Sequence, residues 1–146
     1  MSDCQMKTLE AAASWSEKER SACAELLADA ARRIDEAIGI WEDVLQSPDR
    51  REVPFTAIVH FGAERARELQ RLHFEQKELA ARLTGQTGIV YRDSMGMDES
   101  IDVVQPFAQF DKGESLHERS QKAIETLRER AGRLAKTIEA IGEPGS

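Results

Sequence analysis

Residues 54–83 read PFTAIVHFGAERARELQRLHFEQKELAARL. Phe55, Ile58, Val59, Gly62, Ala66, Leu69, Leu72, Leu79, Ala80 and Leu83 recur mostly at spacings of three and four, the period of one apolar stripe on an α-helix. Pro54 suits the first helical position, where its missing N–H costs nothing. The pattern predicts a long amphipathic helix from Pro54 to Leu83, with the other helices packed along it. Two polar residues interrupt its seam. With Leu69 at zero on a helical wheel, His73 falls at about 40° and Gln76 at about 340°, so both face inward. A buried polar group left without a partner costs on the order of 1–3 kcal/mol, so each must find a hydrogen bond. Either the pair fixes how the helices register, or it lines a ligand or catalytic pocket inside the bundle.

Upstream, Ser14 with Glu17 has the form of a capping box. Cys23, Leu27, Ala30, Ile34, Ile38, Trp41 and Leu45 then trace a second stripe, which ends near Ser47 because Pro48 cannot continue the ladder. The short connector 47–53 between two long helices implies an antiparallel hairpin. Residues 84–98 (TGQTGIVYRDSMGMD) form the clear break, with Gly85 as a candidate left-handed cap and Ile89-Val90-Tyr91 as a short strand or a cover for the bundle end. A short helix is expected over 98–112, kinked or delayed by Pro106. After a break at Gly113, Leu116, Ser120, Ala123, Leu127, Ala131, Leu134, Ile138 and Ile141 alternate four and three, as narrow as a coiled-coil seam. Whether 98–142 is two helices or one kinked helix is left open by the pattern. Residues 1–13 carry no clear pattern and 143–146 begin Glu-Pro-Gly, so both ends are expected to be disordered.

The expected architecture is all-α: one domain spanning 1–146, an elongated antiparallel bundle of three long helices and one short helix. Aromatic residues make up only 5% of the chain, so the core must be aliphatic, which suits close helix packing. Three long helices leave a trough that a short fourth only partly fills, and a second copy of the chain would fill it, predicting a homodimer. A net charge of −7 argues against nucleic acid as a partner. No apolar run is long enough to span a membrane, and no secretory leader is recognisable, so the expected location is the cytoplasm. Cys4 and Cys23 lack metal-type spacing, and Cys23 falls on an apolar face. Three scattered histidines make no metal constellation: Glu114-Ser115-Leu116-His117 alone has di-metal spacing, and His60, four before Glu64, lies opposite the stripe. No cofactor is expected.

Arg67 and His73, with five residues between them, resemble the spaced Arg–His pair of the HEPN ribonuclease family, which is dimeric and all-helical. The resemblance covers these two residues only, and Glu68 stands where that family usually has another polar residue. It implies His73 as general base on a ribose 2′-hydroxyl and Arg67 as stabiliser of phosphate charge. The general texture of long Ala-, Gln- and Glu-bearing helices is also similar to phasins, which coat storage granules.

Apolar residues off the stripes mark a candidate contact surface: Phe74 at about 140° on the same wheel, with Phe61, Ile40 and Trp15 at the margins of their stripes. The reading that results is a non-catalytic interaction protein, an adaptor, regulator or assembly subunit. The competing reading is a small-molecule or RNA-processing bundle with a buried site at His73, Gln76 and Arg67.

Overall fold

The computed structural model describes residues 3–46, 62–91 and 116–142. They form an all-α bundle: α1 (Asp3–Ala12), α2 (Glu17–Leu45), α3 (Ala63–Thr87) and α4 (Leu116–Gly142), with no strand among the described residues. None of these helices is long and apolar enough to cross a membrane.

Among the described residues the helix that carries most of the packing is α2, not the 54–83 stretch. It packs most extensively against α4 and also against α3, while α1 packs on α4. A helix covered on two sides needs a wide apolar stripe, and α2 has one. Cys23, Leu26, Leu27, Ala30, Ile34, Ala37, Ile38, Trp41 and Val44 are all buried, and Trp41 is the largest side chain completely shielded from solvent. Leu69, Leu72 and Leu83 from α3, and Leu127 and Ile141 from α4, complete the same core. At 29 residues α2 is about 44 Å long.

Its start differs from the expected one. Ser16, not Ser14, is the N-cap: its hydroxyl accepts from the Glu19 N–H at 3.1 Å, and the Glu19 carboxylate accepts from the Ser16 N–H at 3.1 Å. Both serines have a glutamate three residues on, but Ser14 is taken up in closing α1, its hydroxyl donating to the Ala11 carbonyl. Residues 3–12, expected to be disordered, are helical. Tertiary contacts anchor α1: Arg20 donates to the Ala12 carbonyl at 3.2 Å, and Thr8 and Tyr91 hydroxyls hydrogen-bond at 2.6 Å. Tyr91 thus covers the bundle end rather than pairing as a strand.

The predicted continuous helix from Pro54 is also corrected. Gly62 lies at φ 100°, ψ 130°, outside helical geometry, and α3 starts only at Ala63. That positive φ suits a residue without Cβ and interrupts any helix running through it. At the other end α3 runs through Gly85 and stops at Gly88, whose φ of 75° places it in the left-handed region, with its N–H on the Thr84 carbonyl at 2.8 Å. The connector 47–53, Pro54 to Phe61, the short helix expected over 98–112, the break at Gly113 and the tail 143–146 lie outside the described residues.

Candidate functional site

The antiparallel α2–α3 pair positions every inward polar residue singled out from the sequence. Its register is readable from cross-helix bonds. Asp43 pairs with Arg65, Glu36 with Arg71 and Arg33 with Glu75, so the numbering rises along α3 as it falls along α2. Inside this ladder Gln76 is fully buried, and its side-chain N–H donates to the Ala30 carbonyl at 3.0 Å. Ala30 sits mid-helix, where its carbonyl also accepts the α2 bond from four residues on. The amide therefore adds a bond to a carbonyl that is already satisfied, one that would be lost on sliding α3 by a turn.

His73 is buried at 5% exposure, its ring meeting the Phe74 ring edge-on with centroids 6.1 Å apart. Arg67 is exposed. It lies six positions before His73, which puts it about 9 Å away along the axis and well round the helix. The structure therefore holds His73 and Gln76 in the core and leaves Arg67 on the solvent face, so the three do not converge. The geometry the HEPN resemblance implies, arginine and histidine acting on one phosphodiester, is not assembled within α3.

The cross-helix ladder went unnoticed in the sequence, because Asp43–Arg65, Glu36–Arg71 and Arg33–Glu75 become neighbours only once the antiparallel register is known. Arg71 is its hub, reaching Glu75 at 2.7 Å, Glu68 at 2.9 Å and Glu36 at 3.2 Å. These contacts, Glu68 foremost, hold the guanidinium above its ordinary pKa. Bonds from Arg71 first, with Arg33 adding another at 2.8 Å, hold the Glu75 carboxyl below the usual range. Such pairs are half in solvent, so each contributes little to stability, and their joint effect is to favour one alignment.

Comparison of the chain with known protein families, curated proteins and solved structures finds no match. Among the described residues no group of three or more His, Cys, Asp or Glu could hold a metal ion. His60, Glu114 and Ser115 lie outside them. Cys23 is a free thiol at 1% exposure, and burial pushes its pKa up to about 11, which suppresses the thiolate.

Of the off-stripe apolar residues, Phe74 is 52% exposed, Ile40 and Trp15 are half-buried against the core, and Phe61 lies outside the described residues. Trp15 has a second role that the sequence did not suggest. It lines a cleft of about 230 Å³ between the start of α2 and the end of α3.

Proposed function

We propose that this chain is a non-catalytic interaction protein, a helical-bundle adaptor, regulator or assembly subunit that acts as a homodimer. The observation that carries the reading is Phe74, half exposed in the middle of the outward face of α3. Around it Arg67, Gln70, Lys77, Glu78 and Ala81 are exposed too. A single exposed phenylalanine is ordinary, but an aromatic anchor ringed by charged and polar groups is also how contact surfaces are built. A second copy fits this face. An antiparallel α3 related by a two-fold axis between Leu72 and His73 sets Arg67 opposite Glu78 twice, and rests each Phe74 ring on the other copy's Arg71. The inward polar residues support the same reading, because Gln76 is spent on holding α3 to α2.

Light scattering at micromolar concentration tests it. The expected result is a dimer mass for the native chain and a monomer mass for Phe74→Asp, with the helical content of both unchanged. A monomer mass for the native chain would refute the pairing.

A further inference from the structure

The cleft at the end of the bundle has a chemistry of its own. Trp15, Ala22 and the buried Cys23 supply its apolar lining. Two of its polar side chains already make hydrogen bonds within the fold. The Glu19 carboxylate accepts from the Ser16 N–H, and the Thr87 hydroxyl donates to the Leu83 carbonyl while accepting from the Ile89 N–H. Its remaining donors do not. The Trp15 indole N–H, the Lys18 ammonium and the Gln86 amide line the same space and have no hydrogen-bond or ion-pair partner among the described residues. An apolar lining with leftover donors calls for a ligand that is flat and apolar on one side and supplies acceptors on the other.

We propose that this cleft binds a small aromatic monocarboxylate, its ring against Trp15 and its carboxylate between Lys18 and Gln86. A volume of about 230 Å³ accommodates one or two fused rings and is smaller than most pockets for drug-sized ligands. The negative charge of Glu19, which lines the same cleft, already offsets part of the Lys18 charge and so disfavours a second carboxylate on the ligand. A neutral amide of the same shape forgoes the charge-assisted bond to Lys18. The site is independent of the Phe74 surface, so either proposal can fail without the other.

The reporter is built in, because the chain has two tryptophans and Trp41 is fully buried. The full chain, labelled with nitrogen-15, is titrated with benzoate, 1-naphthoate and benzamide while both indole N–H signals are followed. The expected result is a saturable shift of the Trp15 signal with a carboxylate and little movement of Trp41. Affinity should fall roughly tenfold for benzamide and for Lys18→Gln, and severalfold for Gln86→Ala. Absence of a saturable Trp15 shift with either carboxylate would overturn the proposal. Equal affinity for benzamide, or an unchanged affinity in Lys18→Gln, would overturn it as well.

Discussion

Replacing Gln76 separates what its amide contributes from what its volume contributes. The side chain is fully buried and donates at 3.0 Å to the Ala30 carbonyl, which keeps its own helix bond when the amide is removed. In Gln76→Leu the lost hydrogen bond costs about 1 kcal/mol. Leucine refills nearly the same volume and buries apolar surface instead, which offsets a similar amount. The net change should lie within about 1 kcal/mol. Gln76→Ala loses the same bond and leaves a cavity besides, so it should cost about 2–3 kcal/mol. The two variants should therefore differ by about 2 kcal/mol, a separation in Tm of roughly 4–8 °C for a chain of this length. Thermal and urea unfolding followed by far-UV circular dichroism would read it. The leucine variant should surrender alignment rather than stability, visible as extra sets of α3 amide signals. If leucine proved as damaging as alanine, the amide would be indispensable to the fold, and the claim that it serves register would be refuted.

Other outcomes follow from the same contacts. The lowered pKa of Glu75 stabilises the fold above the ordinary glutamate value near 4.5, and that contribution is lost as pH falls through the folded value. The urea midpoint should thus drop as the pH is lowered through and below about 4.5, by less in Glu75→Gln than in the native chain. Trp41→Ala empties the largest fully buried site and should cost about 3–5 kcal/mol, seen as a lower urea midpoint. Ser16→Ala removes the N-cap of α2 and should cost about 1 kcal/mol, whereas Ser14→Ala should cost less, and comparing their unfolding midpoints checks which serine starts the helix.

The stripe of α2 was legible because burial on a helix repeats every three or four residues. Cys23, Leu27, Ala30, Ile34, Ile38 and Trp41 are all buried, and Leu45 is partly so. The last helix reads the same way through Ser120, Ala123, Leu127, Leu134 and Ile141. Periodicity also turns His73 and Gln76 inward. It does not name the acceptor of Gln76, because a backbone carbonyl leaves no trace in a side-chain pattern. Helix α1 was missed because contacts made by Thr8 and Ala12 with distant residues support it, not a strong stripe of its own. The break at Gly62 was missed because glycine fits both a helix interior and a positive φ, and its neighbours keep helical spacing on either side. The cleft and the cross-helix ion pairs belong to the pairing of α2 with α3, so neither exists in any single stretch of sequence, whereas the Glu68–Arg71–Glu75 spacing within α3 does.

Helices α2 and α3 lie antiparallel with Gln76 seated on Ala30. Nuclear Overhauser effects from the Gln76 side-chain amide test that seat directly. The expected result is a slowly exchanging amide with cross-peaks to Ala30 and Ile34. An amide that exchanges freely with water and shows cross-peaks only within α3 would contradict it.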